Sequence, residues 1–135
     1  MINKVTLIGN LGKDPEVRRL ESGSIVAKFS LATNENYKDK SGEWQTQTEW
    51  HTIVVWGTQA EKAEQSFRKG MTVYVEGKIK TREWEDESGS RRRTTEIVAN
   101  YTRRIEGQYS NPSSGTVGVE EAAQAAEAGD DDLPF

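Results

Sequence analysis

Apolar and polar residues alternate along the first 107 residues in runs that end at turn-forming residues. Five runs are rich in the β-branched and aromatic residues typical of strands: INKVTLIGNL, SIVAKFSLATN, TEWHTIVVWG, MTVYVEGKIKTREWE and RRTTEIVANYTRRIE. Residues typical of tight turns separate them at 12–15, 21–23, 40–42 and 86–89. The alternation therefore predicts an all-β domain of five strands.

One segment, TQAEKAEQSFRKG, has helical periodicity instead. Thr58 and Glu61 have the spacing of a capping box, and Gly70 is expected to end the helix as its C′ residue. The apolar positions fall on one helical face: Ala60, Ala63 and Phe67. Three strands, one short helix and two strands match the OB-fold, a five-stranded Greek-key β-barrel. The pattern alone also fits another small barrel or a sandwich.

After Gly107 the alternation stops and the charge changes sign. Residues 1–107 hold all 18 basic residues and 16 acids, a net charge of +2, whereas residues 108–135 hold six acids and no Lys or Arg. Few large apolar residues occur there, so we predict a disordered acidic tail. Opposite charges of this kind favour an anion-binding body joined to an acidic interaction segment.

The sequence offers no active site. His51 is the single histidine and cysteine is absent, and no Walker loop, GxSxG or HExxH motif occurs. We therefore expect no enzyme, no metal and no cofactor, and a packed His51 explains that residue better than catalysis. No apolar run approaches the length of a membrane span, and Lys4 interrupts any signal-like start, so we expect a soluble, unexported protein.

The aromatic residues carry more information. In TEWHTIVVWG, Trp50 and Trp56 have the same parity and Ile53 has the other. If Ile53 points into the barrel, both indoles point outward. In GKIKTREW, one face carries a cationic ladder that ends in an indole: Lys78, Lys80, Arg82 and Trp84. An ordinary solvated strand face is the alternative for either strand taken alone.

A single-stranded nucleic acid would use both kinds of residue. Lys and Arg attract phosphates, and unstacked bases lie on aromatic faces, where each contributes roughly 1–3 kcal/mol in proteins that bind single strands. The connection NENYKDKSGEWQTQ adds Tyr37, Lys38, Lys40 and Trp44. A plain surface hairpin is the alternative for that connection, and we do not include Trp44 among the predicted contacts.

Several segments of the sequence resemble those of a known family. NKVTLIGNLGKDPEVR, TEWHTIVVWG, the RKG before a strand, GKIKTREW and the terminal DDDLPF together resemble the bacterial single-stranded DNA-binding proteins. The resemblance implies a non-catalytic protein that coats single-stranded DNA in replication, repair and recombination, in the bacterial cytoplasm and associated with the nucleoid. It implies an OB domain over 1–107, a linker over 108–129 and a partner-binding motif over 130–135.

The family's functional positions map onto named residues. The resemblance implies four stacking residues: Tyr37, Trp50, Trp56 and Trp84. It implies basic contacts along the DNA path at Lys4, Arg18, Lys69, Lys80 and Arg82, and the connection NENYKDKSGEWQTQ adds Lys40. His51 matches a position near the contact between subunits, and one OB domain per chain implies a homotetramer. The linker is shorter than is common in the family.

The last residues are expected to bind other proteins of DNA replication, repair and recombination. Leu133 and Phe135 would fill an apolar pocket on the partner, where a basic residue captures the terminal carboxylate. Pro134 restricts the backbone and lowers the cost of ordering. Asp130, Asp131 and Asp132 would steer this segment toward basic surfaces.

Three alternatives stay open at the sequence level. An OB-type RNA-binding or cold-shock-like module uses similar aromatic platforms. A protein-interaction module would use the exposed aromatics as subunit contacts only. An enzyme that depends on His51 is the last of the three.

Overall fold

The computed structural model describes residues 1–106, along which six strands and one helix occur. The elements are β1 (Val5–Leu11), β2 (Glu16–Arg19), β3 (Ile25–Lys38), β4 (Trp44–Trp56), α1 (Thr58–Ser66), β5 (Thr72–Glu85) and β6 (Arg91–Arg104). The predicted linker over 108–129 and the predicted partner-binding motif over 130–135 lie outside the described residues.

The strands form one sheet in the order β1-β5-β6-β4-β3-β2, and β1 also pairs with β3. This second pairing closes β1, β5, β6, β4 and β3 into a five-stranded barrel, which confirms the predicted fold class. The short strand β2 adds to the free edge of β3 and was not predicted. Its four residues follow a Gly-Lys-Asp-Pro turn and contain one partly buried apolar side chain, Val17, so they carry little alternation.

Two long hairpins build most of the barrel. β3 and β4 pair over thirteen positions, and so do β5 and β6. Two short pairings join the hairpins: β1 with β3 at Asn10 and Leu11, and β4 with β6 in parallel at Ile53 and Val54. At the first of these, a Cβ on Gly9 would lie 2.3 Å from the carbonyl oxygen of Ala32, so only glycine permits the approach.

The barrel interior is filled by side chains of one parity from each strand. The large, fully buried residues include Leu31, Ile53, Val55, Val73 and Val75. The helix covers one end, and its predicted apolar face is buried as expected: Ala60, Ala63 and Phe67. Within the described residues no helix is long and apolar enough to cross a membrane.

Both predicted ends of the helix were wrong in detail. The N-cap is Gly57, no side chain caps the helix, and the Glu61 amide donates to the Gly57 carbonyl at 3.1 Å. The helix ends at Ser66, with Phe67 as the C-cap. Gly70 has the predicted positive φ of 87°, but it is the third residue of a separate turn, in which the Met71 amide donates to the Arg68 carbonyl.

Each long hairpin ends in the same turn. Asp39 Oδ1 accepts hydrogen bonds from the amide and hydroxyl of Ser41 at 3.0 and 2.6 Å. Asp86 Oδ1 accepts the equivalent bonds from Ser88 at 3.0 and 2.6 Å. A charged acceptor makes these bonds stronger than neutral ones, so both hairpin tips are held in one conformation.

Candidate functional site

A continuous outer surface of the sheet runs from β2 across β3, β4 and β6 to β5. Cross-strand pairing fixes which side chains share it: Arg18 lies opposite Val26, and Val26 lies opposite Trp56. Val54, two positions from Trp56 on the same face, pairs with Val98, which in turn pairs with Lys78. Five strands therefore contribute to one face.

This face contains a groove of 520 Å³ that is lined by residues of β2, β3, β4, β5 and β6. Its base is apolar, because Val26 of β3, Val54 of β4 and Val98 of β6 line it. Trp56 borders it with about half of its surface exposed. Four cations surround this apolar base: Arg18, Lys28, Lys80 and Arg82.

Two carboxylates, Glu16 and Glu96, also line the groove, so its formal net charge is four cations minus two acids, or +2. Glu96 has only 12% of its side chain exposed and accepts a hydrogen bond from Arg82 Nε at 2.8 Å. Within the part of the chain that the structure describes, the other three cations form no salt bridge. They are therefore available to an anionic ligand.

Trp50 lies six residues before Trp56 on the same face of β4 and is 58% exposed. Its six-membered ring lies against Gly12, the residue that follows β1. A Cβ added to Gly12 would lie 2.5 Å from Cζ3 of Trp50 and 2.9 Å from Cη2. The position of this indole thus depends on the missing side chain of Gly12.

Trp84 occupies the other hairpin, near the end of β5. Its indole Nε1 donates to the Thr94 hydroxyl at 2.9 Å, across the pair of strands, and the residue is 43% exposed. Because the register places Trp84 on the face of Lys80 and Arg82, it continues the surface of the groove. The hydrogen bond fixes the ring in one orientation.

The parity predictions for β4 and β5 describe this surface. Ile53 and Val55 are fully buried, and Trp50 and Trp56 are exposed, as predicted. On β5 the predicted ladder shares one face, but Ile79 on the opposite face is also half exposed. The pairing of β1 with β5 begins at Val5, opposite Gly77, so Ile79 lies beyond the part of β5 that β1 pairs with.

Several predicted contact residues do not line the groove. Tyr37 is 45% exposed and lies on the face of the β3/β4 hairpin opposite to Trp50, because it pairs with Gln45. Lys40 lies in the turn after β3, and Lys69 lies between α1 and β5. The backbone amide of Lys69 donates to Asp14 Oδ1 at 2.8 Å. The roles of these residues in ligand binding stay predictions.

Lys4 also lies away from the groove, next to Glu76 on β5. Its Nζ is 2.9 Å from Glu76 Oε1, and the Tyr74 hydroxyl donates to Glu76 Oε2 at 3.0 Å. These bonds hold the pKa of Glu76 below its usual value, and the carboxylate raises the pKa of Lys4. The Lys4 ammonium is thus already paired with a carboxylate on the surface.

His51 lies on the inner face of β4, partly buried. Its Nε2 is 2.9 Å from the Thr33 hydroxyl. This satisfied ring nitrogen agrees with a structural role, while the predicted subunit contact stays a prediction.

Sequence reasoning missed three charged residues of the groove: Glu16, Lys28 and Glu96. Lys28 stands between Ala27 and Phe29, both buried, so strict alternation along β3 would have placed it outside. No sequence signal identified Glu96, because its ion pair with Arg82 depends on the register of β5 and β6.

The arrangement suits a long, flexible anion that carries flat rings. Cations beside an apolar groove attract phosphates, and three exposed indoles on the same surface offer stacking faces. Among residues 1–106, no three His, Cys, Asp or Glu side chains are grouped so as to hold a metal ion.

Comparisons with known proteins agree with this chemistry. A family model described as "Single-strand binding protein family" matches residues 2–105. A solved structure described as Plasmodium falciparum SSB in complex with ssDNA is 36% identical, with a TM-score of 0.72, over 78% of this chain and 97% of that one. A deletion mutant of the single-stranded DNA binding protein from Thermus aquaticus is 28% identical, with a TM-score of 0.70, over 79% of this chain and 52% of that one.

Proposed function

The chain belongs to the single-strand binding protein family, and from this premise we propose that it binds single-stranded DNA in the groove, without catalysis and without a cofactor. The observation that carries the proposal is the continuous outer face on which Trp50, Trp56 and Trp84 share a surface with three cations that form no salt bridge within residues 1–106. Bases would stack on the indoles, and Arg18, Lys28 and Lys80 would contact phosphates.

The exposed indoles would give the protein a preference for single strands over duplex DNA. A base stacks on an indole only when its own face is free, and duplex DNA has no free base faces. Each stack contributes about 1–3 kcal/mol in proteins of this class, almost regardless of the base. Binding would therefore depend weakly on sequence, and the phosphate contacts would make it depend on salt.

Fluorescence titration tests the proposal. An excess of poly-dT should quench the tryptophan emission, because bases stack on the indoles. The logarithm of affinity should fall linearly with the logarithm of salt concentration, by about 0.7 for each phosphate contact. Equal affinity for duplex and single-stranded DNA would contradict the proposal, and an RNA oligomer that displaces the matched DNA would assign the groove to RNA.

We further propose a homotetramer that coats DNA during replication, repair and recombination in the bacterial cytoplasm, in association with the nucleoid. An exposed apolar patch outside the groove supports assembly: Ile8 and Tyr101 are 57% and 43% exposed, and the Tyr74 and Tyr101 rings are 6.0 Å apart. Mass measurement with and without a long dT oligomer gives the number of subunits and the DNA stoichiometry together. A monomer in both samples would contradict the tetramer.

The motif over 130–135 is proposed to recruit other proteins of DNA replication, repair and recombination. Its three aspartates and its Leu-Pro-Phe sequence combine charge for steering with apolar groups for a pocket. Deletion of Phe135 should abolish recruitment of partners and leave DNA binding at least as strong. Pull-down of proteins on immobilised poly-dT measures the first property, and unchanged recruitment would refute the idea.

A further inference from the structure

The β3/β4 hairpin extends beyond the barrel as an arm, the β3/β4 arm (residues 33–49). Within it each strand pairs only with the other, because β1 leaves β3 at Ala32. Side chains alternate between its two faces. The even-numbered residues share the face of Trp50, and the most distant of them is Trp44, at the beginning of β4.

Three tryptophans therefore stand on one face of one strand at a constant interval. Trp44, Trp50 and Trp56 are six residues apart, which at a rise of about 3.4 Å per residue separates neighbours by about 20 Å. Trp44 is the most exposed of the four tryptophans, at 72%. An indole this exposed offers a stacking face to a ligand.

Between Trp44 and Trp50, short side chains that are hydrogen-bonded to each other cover this face of the arm. Thr46 donates to Asn36 Oδ1 at 2.9 Å, and Thr48 donates to Asn34 Oδ1 at 2.8 Å. These two bonds join the strands on the even-numbered face and occupy its short side chains. Only short side chains therefore lie on this face between Trp44 and Trp50.

A cation accompanies Trp44. Lys38 is its direct cross-strand partner, and the Lys38 Nζ lies 6.0 Å from the centroid of the indole. The Asp39 turn fixes the end of the arm, where Oδ1 also accepts the Glu43 amide at 2.9 Å. An aromatic face and an ammonium are therefore held together at the tip.

We propose that Trp44 and Lys38 form an outer stacking site of the DNA path, in which the indole takes a base and the ammonium takes a neighbouring phosphate. The inference rests on the proposed binding of single-stranded DNA. It extends the path from Trp56 through Trp50 to the tip of the β3/β4 arm. A second copy of the chain is the other possible occupant of an exposed indole, and the experiment separates the two.

The test compares dT oligomers of two lengths, about 4 and about 16 nucleotides, which bracket the site sizes of single OB domains. Trp44→Ala should weaken binding of the long oligomer about 5- to 150-fold, the range expected for one lost stack. The short oligomer fits within the groove and should lose far less. Trp44→Phe, which keeps an aromatic face, should restore most of the affinity.

Two further variants assign the roles of the pair. Lys38→Gln should lower the dependence of log affinity on log salt by about 0.7, the value for one phosphate contact, whereas Trp44→Ala should leave it unchanged. Gln47→Ala, on the opposite face of the arm, is the matched control and should bind like wild type. In a Trp50→Phe, Trp56→Phe, Trp84→Phe variant, the remaining Trp44 emission should be quenched by the long oligomer.

Each outcome decides one question. If wild type binds neither oligomer, the proposed function itself fails. If wild type binds both and Trp44→Ala matches it at both lengths, with unquenched Trp44 emission, the outer site is refuted while the proposed function stands. If Trp44→Ala changes the mass of the assembly and not the affinity, Trp44 is a contact between subunits and the outer site is likewise refuted.

Discussion

Replacing Gly12 with alanine should weaken DNA binding, because the new methyl group would displace the indole of Trp50. The new Cβ would lie 2.5 Å from Cζ3 of Trp50, whereas carbon atoms in contact are about 3.5–4.0 Å apart. The ring must therefore retreat by about 1 Å or more. Its exposed fraction of 58% leaves it space on the solvent side.

The magnitude follows from the torsion that this movement requires. A ring that retreats to avoid the new methyl group leaves its rotamer, and stacking a base on this displaced ring costs about 0.5–1.5 kcal/mol. That range corresponds to a dT affinity about 2- to 13-fold lower. The free energy of unfolding should change little, because the strain relaxes into solvent and alanine also restricts the unfolded chain.

A double-mutant cycle measured by fluorescence titration checks the reasoning. Trp50→Ala removes the stack and should cost about 5- to 150-fold, and Gly12→Ala added to that variant should cost nothing more, because no ring remains to be displaced. An equal loss from Gly12→Ala with and without Trp50 would show that Gly12 acts in another way. Denaturant unfolding of both variants is the control for stability.

Three other perturbations give separate tests. Glu96→Gln should tighten binding of poly-dT at low salt and steepen its salt dependence by about 0.7, because the change frees Arg82 and removes an anion from the groove. Lys28→Gln should lower that salt dependence by about 0.7, and Lys4→Gln should lower it by less, because the Lys4 ammonium is already paired. The hydrogen bonds of Asp86 from Ser88 and Arg92 lower its pKa from 3.8 to about 2, so the stability it contributes is complete above pH 3.8 and is lost as the pH falls through about 2. An acid titration followed by circular dichroism should show this loss in wild type and not in Asp86→Asn; identical curves would contradict it.

The alternation of residues was enough to predict the fold and most of the aromatic surface. Ile53 and Val55 fix the inner face of β4, so Trp50 and Trp56 had to face outward. The same reasoning succeeds for the buried face of α1, because burial of Ala60 and Ala63 depends on helical spacing alone. Predicting these features requires only the local periodicity of the sequence and the choice of which face of each element is buried.

What the sequence did not predict depends on contacts between distant segments. The capping box failed because Gly57 already supplies the N-cap with its backbone, in a conformation that the sequence pattern does not specify. The partners of Arg82 and Trp84 follow from the register between β5 and β6, which residue types alone leave open. Tyr37 has the parity of the buried Phe29 and Leu31, so its exposure depends on how far the hairpin extends beyond the pairing with β1.

The parallel pairing of β4 with β6 has a consequence for how DNA would change the protein. Only two residue pairs join these strands, whereas each long hairpin has thirteen. The groove crosses this junction, with Trp56 on one side and Lys80 on the other. A strand bound there would tie the two halves of the barrel together, and the complex would gain stability as RT ln(1 + [DNA]/Kd). The amide hydrogens of Ile53 to Val55 and Ile97 to Ala99 should then exchange more slowly in the complex, because the DNA would hold together one of the two short junctions of its own binding protein.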